Sequence, residues 1–314
     1  MIPKSLVAAC LCMLFLVSGA TAADNPSPQP ISPQPLRLAQ NANDLDRRID
    51  ALTEEIRRNP AGEMAYNERA NAFIEKGYYD RAIADLSKLI ALSPDYAQYY
   101  RMRGDAYRST GDYDHAIADY DSWLASAPND LTGHHNRGLT YRLKDDYPRA
   151  IADFTFNLQK HPDLGMDYLE RGATRILAGE ASSAIADFDQ ALRVNPRDWE
   201  AVLLRHFIAN RSGVKAASLP PTLTSDYARD KWPWPILAFL AGQASAADVR
   251  AAASAGNESD RRDHLCAAAF WMGQSERAAR PAAAKPLFEE AVRRCPRAFF
   301  EYSLAKFELA RLAK

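Results

Sequence analysis

Leu45, Ile49, Leu52 and Ile56 fall on one helical face with charged residues between them, and predict a leading helix over roughly 43–58. Beyond it the apolar and polar positions repeat. The tetrapeptides Ala82-Ile-Ala-Asp85, Ala116-Ile-Ala-Asp119, Ala150-Ile-Ala-Asp153 and Ala184-Ile-Ala-Asp187 recur every 34 residues. Pro60, Pro94, Pro128, Pro162 and Pro196 lie on the same grid, each where a helix must stop. Arg69, Arg103, Arg137, Arg171 and Arg205 share it. Small residues follow four of these arginines (Ala70, Gly104, Gly138, Gly172), and three positions on come Phe73, Tyr107, Tyr141 and, breaking the pattern, Arg175. A small residue lets two helices approach, and an aromatic ring fills the space beside it. Such a period predicts stacked helix–turn–helix units that present a long concave surface.

In the clearest unit Tyr100, Gly104, Tyr107, Ala116, Tyr120 and Pro128 resemble the tetratricopeptide repeat (TPR) family. The resemblance implies an all-α fold, a right-handed TPR superhelix or α-solenoid. Four complete units are placed at 63–96, 97–130, 131–164 and 165–198, after a leading-helix segment at 43–62. The period fails beyond 198, so 199–314 reads as a degenerate, TPR-like helical region. One helix carries Trp199 to Arg211, and 212–232, with Gly213, Pro220 and Pro221, reads as a loop. Trp232-Pro-Trp-Pro-Ile-Leu-Ala-Phe-Leu-Ala-Gly242 reads as a short apolar helix, with proline near its start and glycine after its end. Ser245 is placed to cap a helix through about Ala253. A last pair follows over Asp263–Met272 and Ala284–Arg294, with Phe288 and Ala291 at repeat-like positions. The stretch from Phe299 to Leu312 is amphipathic and is expected to cap the open end of the solenoid.

Residues 1–22 read as an export signal: Lys4, an apolar run from Leu6 to Val17, then Ala20-Thr21-Ala22 as the cleavage site. Val7-Ala8-Ala9-Cys10 has the look of a lipoprotein box, but the apolar run continues past Cys10, so cleavage rather than lipidation at Cys10 is expected. Residues 23–42, with five prolines between Asn25 and Pro35, read as an extended spacer. The expected location is the periplasm or the outside of the cell, and no later segment is apolar enough to predict a membrane span.

A net charge of −1 with 25% charged residues leaves no basic excess for phosphates, so nucleic acid is not an expected partner. No His-Glu-x-x-His, Gly-x-Ser-x-Gly or phosphate-cradling glycine loop is found, and neither catalysis nor a cofactor is expected. Removal of the signal leaves Cys266 and Cys295. One begins and the other ends an antiparallel helical pair, and an oxidising compartment would join them in a disulfide. No metal is expected there, since Cys266 has only His264 nearby.

In a TPR unit the first helix lines the groove. Its positions give Met64, Asn67, Asn71, Ile74 and Glu75, then Gln98, Arg101, Asp105, Arg108 and Ser109. The third unit gives Thr132, His135, Leu139, Arg142 and Leu143, and the fourth Met166, Leu169, Ala173, Ile176 and Leu177, with Leu203 and Phe207 beyond. The groove should be polar at one end and apolar at the other. An apolar strip of that size calls for a cover, either a partner's peptide or helix or this chain's own segment around Trp232–Leu240. Under the second reading Asn67, Asn71, Arg101, Arg108 and Arg142 become the partner-contact surface. A carboxylate clamp is not expected, because the lysine and the downstream basic pair it requires are missing. The arginine ladder could bind anions. The stronger reading pairs each of its first four members with the aspartate 16 residues on. His134 and His135 point about 100° apart on a helix and cannot chelate one metal; His134 is expected in packing and His135 in the groove.

The C-terminal motifs Trp234-Pro235, Leu240-Ala241-Gly242, Cys266, Phe270-Trp271-Met272-Gly273 and Glu301-Tyr302 resemble those of the periplasmic NlpI-like TPR group. That resemblance implies an adaptor presenting cell-wall hydrolases to a protease, so the partners implied are a protease and a peptidoglycan hydrolase. The alternative is a structural scaffold that homodimerises through its terminal helices.

Overall fold

A single helix, α1 (Gln34–Arg58), is followed by four antiparallel pairs: α2 (Glu63–Glu75) with α3 (Tyr79–Leu92), α4 (Ala97–Thr110) with α5 (Tyr113–Ser126), α6 (Leu131–Leu143) with α7 (Tyr147–Lys160), and α8 (Gly165–Leu177) with α9 (Ala181–Val194). Then come α10 (Trp199–Arg211), α11 (Trp234–Leu240), α12 (Ala246–Ala253), α13 (Glu258–Arg277), α14 (Pro281–Arg294) and α15 (Phe300–Leu312). This computed structural model describes residues 34–211, 231–277 and 280–313. The packing below is that of the unit Leu45–Lys314. The export signal lies outside the described residues. Helix α1 starts at Gln34 rather than 43 and takes in the end of the segment read as a spacer; Pro35 sits in its first turn, where a missing N–H leaves no bond unmade. No helix of the described residues is long and apolar enough to cross a membrane.

The repeat grid is visible in the backbone. Within each of the four pairs the chain turns on a left-handed residue, and Gly77, Gly111, Asp145 and Gly179 have φ of 73°, 91°, 62° and 82°. Glycine meets this demand without a Cβ clash, and aspartate is among the few side chains that tolerate it. The acidic residues beside these turns act as caps: Asp112 accepts from the His115 amide and Asp146 from the Arg149 amide. Between paired helices the small residues touch rings. A Cβ on Gly172 would come within 2.6 Å of Phe188, so the two helices pack at a distance only glycine permits. Tyr120, Phe154 and Phe188 are fully buried at equivalent places, each worth about 2 kcal/mol of burial.

The four arginine–aspartate pairs form as expected, each bidentate. Arg69 donates to Asp85 at 2.8 and 2.7 Å, and Arg103 to Asp119 at the same distances. Arg137 donates to Asp153 at 2.9 and 2.6 Å, and Arg171 to Asp187 at 3.1 and 2.6 Å. The remaining terminal nitrogen of each arginine reaches back into the preceding helix pair or α1. Arg69, Arg103 and Arg171 bond Thr53, Ser87 and Thr155 at 3.0 Å, and Arg137 bonds Asp121 at 2.6 Å. Arg175, out of pattern in the sequence, supplies a second cation to Asp187 at 2.7 Å.

The pair α13–α14 keeps the packing logic of a repeat: Gly273 lies against Phe288, and Ala284, Phe288 and Ala291 are fully buried. Cys266 of α13 and Cys295 at the end of α14 are joined by a disulfide. Ser245 forms a capping box with Asp248 at the start of α12.

Arg103→Ala leaves the Asp119 carboxylate buried without its partner, and should cost about 3 kcal/mol in urea denaturation. Arg103→Lys should recover only part of that, because an ammonium cannot hold Asp119 and Ser87 in one plane. Replacing both Cys266 and Cys295 by serine opens a loop with a sequence separation of 29 and should lower stability by about 2–4 kcal/mol, read as a lower melting temperature without reductant.

Candidate functional site

The open part of the groove is built on α2 and α4. Asn71 is exposed and Asn67 half-buried on α2. On α4, Asp105 organises its surroundings: its carboxylate accepts from the Tyr120 hydroxyl at 2.7 Å, Arg101 at 3.0 Å, Asn136 at 3.3 Å and Arg108 at 3.4 Å. Arg108 also donates to the Tyr120 oxygen at 3.2 Å. Burial pushes the Tyr120 hydroxyl well above the usual phenol range, so it stays protonated and donates. The result is a polar wall whose side chains are held in place before any partner arrives. Asn71 and the outer faces of Arg101 and Asp105 remain accessible, Arg101 and Asp105 with 29% of their side chains exposed.

His134 and His135 bond different carboxylates. His134 is buried against Phe156 and bonds Asp153 at 2.8 Å. His135 keeps 24% of its side chain exposed; Asp167 holds its Nδ1 at 2.5 Å and Asn157 donates to the same carboxylate at 2.7 Å. Neither Asp167 nor Asn157 stands out in the sequence. Their only signal is a polar residue at an otherwise apolar packing position.

The apolar end of the groove is covered from within the chain, in part by Trp232, which shares a cavity with Leu169, and further along by another element. That element is α15. Ile176 of α8 and Leu204 and Phe207 of α10 converge with Trp271 and Gln274 of α13 and Leu304 and Glu308 of α15. Leu169 and Ile176 are 2% and 7% exposed, and so belong to the core. Arg142 is corrected with them. It is 1% exposed, donates to the Ala298 carbonyl at 2.8 Å and faces Glu170 at 3.1 Å. Arg297, next in the chain, reaches the α4–α5 turn at Gly111. Helix α15 packs on α14, as an end cap would, and also meets α8. Its packing is most extensive on α14, and its apolar stripe also reaches α8 and α10.

One face of α15 buries Phe300, Glu301, Leu304, Ala305 and Glu308. Glu308 pairs with Arg277. Burial, with the like charge of Glu170 added and only partly offset by Arg142, pushes the Glu301 carboxyl up to about 7. The Glu200 carboxyl is also well above its usual range, through burial and then the charges of Glu301, Asp198 and Glu170.

The Tetratricopeptide repeat family model matches residues 37–97 and 67–130, so the chain carries tetratricopeptide repeats. With its consecutive packed pairs it is an all-α TPR solenoid. A TPR protein from Parabacteroides merdae has a similar fold, with a TM-score of 0.54 at 15% identity over 87% of this chain and 94% of its own. MamA is similar with a TM-score of 0.47 at 20% identity, over 50% of this chain and 92% of its own. YrrB, described as a TPR protein with an unusual peptide-binding site, has a TM-score of 0.46 at 17% identity, over 62% of this chain and 99% of its own. These are likenesses of fold. No curated protein matches the sequence.

The buried carboxylates set a pH dependence. At low pH folded and unfolded chains both hold the Glu301 proton; as pH rises from the usual 4.5 through about 7, the unfolded chain ionises freely and the folded chain does not, so stability falls. Thermal melts between these limits should show that fall, and Glu301→Gln should flatten it, leaving the part due to Glu200.

Proposed function

We propose that this protein is an exported adaptor that holds a protein partner against the open, polar part of its concave groove and performs no chemistry of its own. The observation that carries this reading is the wall around Asp105, where Arg101, Arg108, Tyr120 and Asn136 are fixed by hydrogen bonds and still border an open surface with Asn67 and Asn71. A preorganised polar surface loses little freedom on binding, and so suits an extended peptide or a polar helix face. The export signal in the sequence supports a periplasmic or secreted setting. The Trp-Pro and Cys-containing motifs of the C-terminal half support envelope clients, with cell-wall hydrolases brought to a protease. The mechanism is then a rise in local concentration and a fixed orientation. The scaffold alternative needs a free face on the last helix. In this structure Phe300, Leu304 and Ala305 of α15 are buried in the chain's own groove.

The test is capture. Tagged protein cross-linked in its own periplasm should bring down a protease together with cell-wall enzymes, and recovery of its own dimer alone would sink the adaptor reading. Asn71→Ala combined with Arg101→Ala should weaken capture about tenfold with helix content unchanged by circular dichroism.

A further inference from the structure

A cavity of about 500 Å³ opens where α8, α10 and α13 meet the start of α15. Its size is that of a small-molecule site. Trp199, Trp232, Leu169 and Phe299 form apolar walls, and four carboxylates line it as well: Glu170, Glu200, Asp263 and Glu301. Among the described residues two cations touch these acids, and Arg262 donates to Asp263 at 2.8 Å. Arg142 faces Glu170 at 3.1 Å, with the same terminal nitrogen committed to the Ala298 carbonyl. His264, also in the wall, stacks on Trp232 at 4.4 Å, and burial lowers its pKa below the usual value, so it is neutral at pH 7. Two of the carboxylates are deeply buried and incompletely partnered. Glu301 is 3% exposed and bonded by its own backbone N–H, and no side chain among the described residues donates to it. Glu170 is 8% exposed, and its Oε2 lacks a hydrogen-bond donor.

Carboxylates crowded into an apolar cavity repel one another and lose solvation. A cation would offset both. The four acids are spread around the walls, and among the described residues no group has the arrangement of a metal site. An ammonium has three donors that can serve acids in different directions, whereas a guanidinium donates in one plane. The indole rings and Leu169 suit a hydrocarbon stem, and the ring faces themselves attract a cation.

We propose that this cavity binds a primary ammonium group carried on an apolar stem, either a free alkylamine or the lysine side chain of a protein partner. The site stands independently of the open groove around Asp105.

Trp199 and Trp232 report on occupancy through their fluorescence. The full mature protein should be titrated with 1,5-diaminopentane, Nα-acetyl-lysine methylamide and Nα-acetyl-norleucine methylamide. The amines should give saturable changes at concentrations at least about tenfold below any response to the norleucine derivative. Tighter binding of the diamine assigns the site to free amines, and tighter binding of the lysine derivative to a partner's side chain. Glu200→Gln with Glu301→Gln should weaken the amines about tenfold while leaving the melting temperature at pH 7 equal or higher, since it removes acids whose raised pKa costs stability at that pH. The proposal is overturned if the norleucine derivative matches the amines, if no amine saturates up to about 10 mM, or if the double variant binds as the parent does.

Discussion

Each of the first four arginines on the grid reaches in two directions. It takes a carboxylate 16 residues ahead on the partner helix of its own unit, and Arg69, Arg103, Arg137 and Arg171 also reach a hydroxyl or carboxylate 16 residues behind. One planar guanidinium thus fixes three helices at once: its own, its partner, and the second helix of the preceding pair or α1. Such half-buried pairs lose much of their Coulomb gain to desolvation, so their contribution is to register more than to net stability. A slip of one helix by a single residue would strand every rung. Stacking then follows from the rungs, and the glycine–ring contacts fill the space that they set.

The ladder stops where the repeats degenerate. Arg205 still reaches back to Asp189 at 2.5 Å, but the position 16 ahead of it is Pro221. In the α13–α14 pair the rung positions hold Met272 and Leu287, both packed into the apolar core. There a covalent tie between Cys266 and Cys295 joins the two helices. Directional ion pairs order the first part of the solenoid. A large aromatic core around Trp271, Phe270, Phe288 and Phe300, with one disulfide, orders the rest.

The repeat units were legible in the sequence because each depends on contacts within 34 residues: the turn glycines, the arginine–aspartate spacing and the small-residue–aromatic pairs all lie inside or next to one unit. The helices after 198 were legible from caps and apolar stripes, as Ser245 and Gly242 show. The course of α15 was not. Its stripe of Phe300, Leu304 and Ala305 reads as an end cap, and it does pack on α14, but no local rule says that it will also reach α8 and α10. That reach decided the fate of the groove residues. Asn67, Asn71, Arg101 and Asp105 stayed at a surface, while Arg142, Leu169 and Ile176 went under the last helix. Arg142 in particular looked like a groove cation, and only a carbonyl 156 positions away in the chain turns it into a core residue.

That same long reach alters how the chain completes itself. A solenoid ordinarily assembles from neighbour to neighbour, so each unit can settle once the next has been made. Here Ile176 and Leu204 take part of their cover from Leu304 and Glu308, far along the chain. A chain cut short by a few turns would keep its rungs and its repeats but display a greasy strip of the kind that chaperones and proteases act on. Helix α15 therefore ties surface laid down early in the chain to residues made long after it.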